Sequence, residues 1–442
     1  MGSQRVPAWV WAALVAVHVL ALGWALRTGR WAFPDSDRYV QAAQNLQQHG
    51  ELYARPWPQS APHGQAVQEF TIRTLGYPVA VLVMGGAEGK PVLLLITQNA
   101  VSLLFIGSIL RWWAGRVRPG RKHWMMALLC VLTFPAQLIY ANAVMSEVLL
   151  QAVVVVMTGF GLAFLRSQKV HTLAGVAGCA VAALLLKPVF YPLAGAVFGV
   201  GIIAAWRMRN KWMAVVGAVP LVIVGLYMGW NQQRTGYFHF SSITDINLLH
   251  YNAAGVVRQL EGPQAEEAWV AGVLHEAQTQ PNFAARQQLI QVRAGAVLRA
   301  HPVVYARQHV LGMATLFLDP GRFDVSEFLG LAPLAGGGFL ALVRSGGLWQ
   351  AIGHLPLGLL ALLGVLGMAN LTRLFLAALG FWRLRKDARV LRAARWIALG
   401  LLGYVALLTG PLGAARFLVP VWPLLFALAL FGIKDQQKSP TS

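Results

Sequence analysis

Asp35, Ser36, Asp37, Arg38 and Tyr39 follow closely on the first long apolar segment of the chain. Carboxylates can take up protons and a guanidinium can hold an oxyanion, so this run places acid–base and anion-binding groups at the water edge of a membrane. A lipid-linked substrate would meet them there. Ionisable groups clustered at such a position are costly to desolvate and point first to function.

The elements that must position these groups are almost all apolar. Hydrophobic residues make up 57% of the 442 positions and charged residues only 12%. A soluble domain carries about a quarter of its residues as Asp, Glu, Lys and Arg. Apolar runs recur at the length of about 17 to 25 residues that crosses some 30 Å of hydrocarbon. The composition therefore specifies an all-α, multi-pass membrane protein and excludes a large soluble core. Cys130 and Cys179 both fall inside apolar runs, so neither a disulfide nor a cysteine metal site is expected.

Spans are expected near 7–26, 91–113, 123–140, 143–165, 171–187, 188–206, 212–230, 352–382, 393–411 and 414–433. These ten crossings put both termini on one side. The connections Arg111 to Lys122, Arg166 to Lys169, Arg207 to Lys211 and Arg383 to Arg395 are rich in Arg and Lys, which assigns them to the cytoplasm. All carboxylates except Asp387 and Asp435 then fall on the outer face or its membrane edge. The net charge of +20 follows mainly from this topology and from contact with anionic headgroups, and nucleic-acid binding is not needed to explain it.

Two outer segments are long enough to fold. Residues 27–90 are polar, with Val40 to Gln48 expected as a short amphipathic helix on the membrane and Gly76 to Met84 too short to span. The second runs from Asn231 to about Gly347, with helices expected over Ala265 to Gln278 and Asn282 to Ala300. Val303 to Leu318 is apolar but broken by Arg307 and Gln308, and reads as interfacial or re-entrant. The expected organisation is an N-terminal transmembrane core (1–230) carrying the first outer loop, an outer-face region (231–347) and C-terminal transmembrane helices (348–442). No internal repeat stands out, which weakens an inverted-repeat transporter reading.

Asp35-Ser36-Asp37-Arg38-Tyr39, followed by Ala43, Leu46 and Gly50, resembles the first outer loop of GT-C glycosyltransferases, the superfamily that includes protein O-mannosyltransferases and lipid A aminoarabinose transferases. Further matches are Arg73-Thr74-Leu75-Gly76-Tyr77-Pro78, Met145-Ser146-Glu147, Lys187-Pro188, His301-Pro302 with Tyr305, and Arg416-Phe417-Leu418-Val419-Pro420. They occur in order along nearly the whole chain. The resemblance implies a helical membrane bundle with outer loops, a sugar donor carried on a polyprenyl phosphate such as undecaprenyl phosphate, and inversion at the transferred sugar.

Transfer from a lipid phosphate needs a base for the acceptor's proton and cations for the leaving phosphate. By the resemblance, Asp35 matches the catalytic carboxylate and Glu147 a second acid facing the site. Asp37 departs from the aminoarabinose-type motif, where the second acid follows the first directly and Ser36 stands here instead, so Asp37 could assist, bind acceptor or cap the following helix. Glu147 could alternatively pair with Arg73 or Arg416, and Glu69, four residues before Arg73, reads equally as a helical ion pair or a substrate contact. The candidates for donor phosphate are Arg38, Arg73, Lys187 and Arg416, whose alternatives are water, headgroups, a span end and a neighbouring acid. Tyr39 and Tyr77 could bond the donor or serve as interfacial anchors. Trp31 and Trp57 could stack on a sugar.

His63, His239, His250, His275 and His301 lie on the outer side without a metal-ligand spacing. A magnesium or manganese ion on Asp35, Asp37 or Glu147 stays open. Gly336 to Gly338 reads as a turn, and no phosphate-loop or dinucleotide fingerprint exists. Two other functions use the same charges. A flippase for a lipid-linked sugar would need polar groups at the membrane midplane, where Arg373 is the exception to an apolar interior. An oligosaccharide ligase or polymerase would use a lipid diphosphate donor and lean on Arg258, Arg286, Arg293 and Arg299. The acceptor is expected to be a lipid or glycan, since no accessory domain offers a large protein-docking surface.

Overall fold

Inside a bilayer every backbone N–H and C=O must find an internal partner, which leaves helices and closed barrels as spanning structures. This chain takes the first route. A computed structural model describes residues 5–57, 67–89, 91–331, 353 and 356–433, and among them there is no strand. The glycine run at 336–338, His63 and Asp435 lie outside the described residues.

The first half comprises α1 (Ala8–Thr28), α2 (Ser36–His49), α3 (Gly76–Val83), α4 (Val92–Val117), α5 (Arg121–Leu132), α6 (Pro135–Ala141), α7 (Glu147–Ser167), α8 (Val170–Leu186), α9 (Leu193–Met208) and α10 (Trp212–Thr235). Six shorter helices follow: α11 (Ile243–Asn247), α12 (Ala254–Glu261), α13 (Pro263–Gln278), α14 (Phe283–Ala300), α15 (Pro302–Leu318) and α16 (Arg322–Leu329). The chain closes with α17 (Leu357–Arg383), α18 (Arg389–Thr409), α19 (Ala415–Leu418) and α20 (Trp422–Ile433).

Among the described residues, seven helical segments are long and apolar enough to cross a membrane, and the bent pair α5 and α6 makes an eighth if counted as one span. Two more of the ten expected spans, 171–187 and 414–433, appear as shorter apolar helices, α8 and α20. The expected span at 123–140 is broken by 58°, because Pro135 cannot continue a helix. The guanidinium of Arg373 fills that break, donating to the Cys130 carbonyl at 3.0 Å, the Thr133 hydroxyl at 2.9 Å and the Thr133 carbonyl at 3.1 Å, and bonding Asn370 of its own helix. Arg373 thus satisfies backbone groups released at the break. The expected last span, 414–433, is also interrupted. Its main part, α20, has 12 residues, about 18 Å of helix, and is buried along nearly its whole length.

A chain of uncharged polar groups runs through the bundle interior. His18 bonds Ser102 at 2.9 Å, Gln137 donates to Ser102 at 2.8 Å and exchanges bonds with Gln151, and Gln151 donates to the Val419 carbonyl at 2.7 Å. Such bonds join helices where lipid gives no hydrophobic drive to associate. They fasten α1, α4, α6 and α7 to the segment just after Arg416.

α7 begins at Glu147 and has Arg166 in its last turn, so the acidic site residues and the basic connections lie at opposite ends of the same helix. α2, α13 and α14 match the helices expected from sequence, as does the eight-residue α3. α15 packs against α12, α17, α18 and the 410–412 turn.

Candidate active site

Two loops that precede helices build the site. The Val144 N–H donates to the Trp31 carbonyl at 3.0 Å, and the Ser36 hydroxyl donates to the Val144 carbonyl at 3.1 Å while accepting from the Phe33 N–H at 2.8 Å. These bonds clamp the start of α2 to the segment before α7, bringing the Asp35 and Glu147 regions together. Ser36, fully buried, is therefore a tie. Asp35 stands at the N-cap position of α2, yet its side chain accepts no capping bond. It faces two arginines instead.

Asp35 Oδ1 accepts from Arg73 Nη2 at 2.6 Å, and Oδ2 accepts from Arg416 Nη1 at 3.1 Å. Arg73 arrives on the stretch before α3, which is held by Ser241 donating to the Thr71 carbonyl at 2.7 Å and Ser242 donating to the Gln68 carbonyl at 2.8 Å. Gly76 lets this stretch lie against the end of α8, since a Cβ there would sit 2.7 Å from the Leu185 carbonyl oxygen. Arg416 is brought in by α19, whose Ala415 N–H donates to Asp319 at 2.8 Å.

Lys187 and Glu147 complete the cluster. The residue before a proline is driven to extended backbone, and Lys187, before Pro188, has φ −151° and ψ 124°. α8 therefore stops, and the Lys187 ammonium reaches Glu147 Oε1 at 2.5 Å. The Glu147 side chain is fully buried at the first position of α7, where the positive end of the helix dipole favours a carboxylate. Its Oε2 has no hydrogen-bond partner among the described residues.

Aromatic contacts close these pairs into a ring. Arg73 lies 4.6 Å over Tyr39, whose hydroxyl is 3.5 Å from that of Ser146, next to Glu147. Lys187 and Arg416 both lie over Phe417, at 5.1 and 4.6 Å. The circuit runs Asp35, Arg73, Tyr39, Ser146, Glu147, Lys187, Phe417, Arg416 and back to Asp35. Burial alone would raise the Asp35 carboxyl, but the Arg73 and Arg416 charges outweigh it and hold the group down at about 2. Arg73 is raised above its ordinary value: burial opposes its charge, while Tyr39 and Asp35 favour it. With its side chain 26% exposed, Asp35 keeps an open side.

Several sequence candidates lie elsewhere. Asp37 is exposed in the first turn of α2, two residues on from Asp35, and has no ion pair among the described residues. Arg38 turns to Glu69, donating at 3.3 Å, and Arg55 approaches the same carboxylate at 3.3 Å. Glu69 therefore pairs with these two arginines and not with Arg73, because residues 67–70 form a separate short turn. Tyr77 is fully buried and donates to Gln98 at 2.9 Å, a packing role beneath Tyr39. Glu147 takes Lys187 as its partner, not Arg73 or Arg416. Trp57 is stacked on His49 at 4.4 Å. Among the described residues no three His, Cys, Asp or Glu gather at a metal-binding spacing. Of the late-loop arginines, Arg258 pairs with Glu266 and Arg293 with Glu276.

The sequence reading missed Tyr140 and Asp324. The Tyr140 hydroxyl donates to Asp324 at 2.7 Å. Burial pushes the Asp324 carboxyl up to about 7, the Tyr140 bond opposes this, and the charges of Asp319, Arg416 and Glu147 also act on it. The one signal was an acid among Phe323, Val325 and Phe328.

No protein-family model and no curated protein matches the chain. Among solved structures it is similar to arabinosyltransferase EmbB from Mycobacterium smegmatis, at TM-score 0.36 and 11% identity, over 100% of this chain and 43% of EmbB. It is also similar to ArnT from Cupriavidus metallidurans bound to undecaprenyl phosphate, at TM-score 0.38 and 15% identity, over 96% of this chain and 77% of ArnT. The chain thus spans less than half the length of the EmbB chain it matches. At such scores neither activity nor family follows, and the site is read from its own residues.

Proposed function

We propose that the chain is a GT-C-type glycosyltransferase that moves one sugar, with inversion, from an undecaprenyl-phosphate-type donor to a lipid or glycan acceptor on the outer face of a bacterial cytoplasmic membrane. The observation that carries this reading is a single carboxylate, Asp35, held between two arginines at the end of a membrane-spanning bundle. Phosphate oxygens match the guanidinium fork as a carboxylate does, so a lipid phosphate can take Arg73 and Arg416 from Asp35. The freed carboxylate then accepts the proton of an acceptor hydroxyl while that oxygen bonds to the anomeric carbon. The bond from the anomeric carbon to phosphate oxygen breaks, and polyprenyl phosphate leaves with its charge on the two arginines and Lys187. Glu147, fully buried, holds the Lys187 ammonium beside these arginines.

Arg73, Arg416 and Lys187 give the leaving phosphate three sources of positive charge. Purified protein in nanodiscs, given polyprenyl monophosphate and diphosphate sugars side by side, should release sugar from the monophosphate. Preference for the diphosphate would favour a ligase or polymerase. A chelator in the same assay reports whether magnesium or manganese binds with the donor.

A further inference from the structure

A second group of arginines lies away from the ring. Val67, Arg234, Thr235, Pro281, Asn282, Phe283 and Arg286 line a cavity of about 280 Å³, close to the roughly 300 Å³ at which small-molecule sites begin. No carboxylate is among these residues. Arg234 is fixed from three sides: it donates to Asn231 at 2.6 Å and to the Leu52 carbonyl at 3.3 Å, and lies 3.5 Å over the Trp230 ring. Its Nε is buried without a hydrogen-bond partner among the described residues, and so is the Nε of Arg286. Arg286 has no ion pair among the described residues either. Two guanidiniums with unused donors around one cavity fit an anion, and Phe283, Pro281 and Val67 give the apolar surface that a sugar ring's C–H face packs against.

We propose that this cavity binds an acidic sugar, carrying a carboxylate or phosphate, as part of the acceptor glycan. The proposal rests on the glycosyltransferase reading only for the word acceptor. Val67 of this cavity opens the Val67–Phe70 turn, whose Glu69 pairs with Arg38, three residues beyond Asp35 in sequence.

The test measures binding without donor, so it is independent of transfer. Full-length protein in neutral-lipid nanodiscs is titrated with glucuronate, glucose 6-phosphate and glucose, followed by saturation-transfer NMR. The two acidic sugars should bind and glucose should not. Arg286→Gln, at a side chain with no hydrogen bond or ion pair among the described residues, should weaken the acidic sugars by about tenfold or more, and Arg286→Lys should recover part of that loss. No binding of acidic sugars by the wild type, equal binding by Arg286→Gln, or full displacement by phosphatidylglycerol in the nanodisc would overturn the proposal. Intact acidic-sugar binding with no sugar transfer would instead count against the glycosyltransferase reading.

Discussion

Oδ2 of Asp35 accepts a hydrogen bond from Nη1 of Arg416 at 3.1 Å, across 381 positions of sequence. With Arg73 on the other oxygen, this makes the base of the proposed reaction a guarded one: it is freed when a phosphate takes its two cations.

That guard has a kinetic signature. The Asp35 carboxyl is held at about 2 by Arg73 and Arg416 against the opposing effect of burial, and it should rise toward the ordinary carboxylate range once a donor phosphate occupies them. The acid limb of kcat/KM reports the free enzyme and that of kcat the complex. The limb in kcat should therefore lie at higher pH. Coincident limbs would show that the donor leaves the Asp35 pairs intact.

Arg416→Gln removes a cation whose side chain is 31% exposed, whereas Arg73 is nearly buried and also covers Tyr39. Arg416→Gln should raise the donor KM by about ten- to a hundredfold with little loss of stability. Arg73→Gln should do the same and also lower the melting temperature. A normal donor KM in Arg416→Gln would remove that residue from phosphate binding.

Breaking the Glu147–Lys187 pair strands a buried charge, which costs about 3–5 kcal/mol. Glu147→Gln and Lys187→Met should each lower the melting temperature strongly. The double variant should recover most of the loss while staying inactive. A double variant as unstable as the sum of the singles would mean that the two groups are not coupled.

Asp324 and Asp35 have opposite effects on stability as pH changes. Asp35 has a depressed pKa, so its contribution is present above about 4 and is lost as pH falls toward 2. Asp324 is raised to about 7 by burial, so the folded state holds a proton that the unfolded chain releases near pH 4. Its contribution is present below about pH 4 and is lost as pH rises through 7. Asp324→Asn keeps an acceptor for Tyr140 and should flatten the melting temperature between pH 5 and 8. An unchanged slope would assign that pH dependence to another group.

Gly312 of α15 meets the backbone of Gly410 and Pro411, close before Arg416, and a Cβ at Gly312 would collide with the Gly410 carbonyl. Gly312→Ala should displace this turn and reduce turnover by more than its effect on the melting temperature predicts. Loss of activity only in step with unfolding would make the glycine a packing residue alone.

The spans and several site residues were legible in the sequence for one reason: a charge inside or beside a long apolar run has few ways to be tolerated. Asp35, Glu147, Lys187 and Arg416 stood out on that ground, and Arg73 by its place in a motif that resembles the GT-C pattern. Their partners were not legible. Lys187 meets Glu147 because Pro188 forces its backbone out of the helix, and Asp35 meets Arg416 because α19 is tied to Asp319, which are tertiary facts. Pairing by sequence spacing failed for Glu69, which lies four residues from Arg73 but in a short turn. Asp324 was missed because its neighbourhood looks like an ordinary outer helix, and only burial against Tyr140 gives it a perturbed carboxyl. The breaks at Pro135 and Pro420 inside apolar runs were not legible either, since hydropathy does not register a break.

The most direct test compares sugar release from a polyprenyl-phosphate sugar by wild-type protein and Asp35→Asn, in nanodiscs at equal protein level and equal donor binding. The guarded-base account predicts a fall of about a hundredfold to ten-thousandfold in the rate of transfer. A rate near that of the wild type would contradict it.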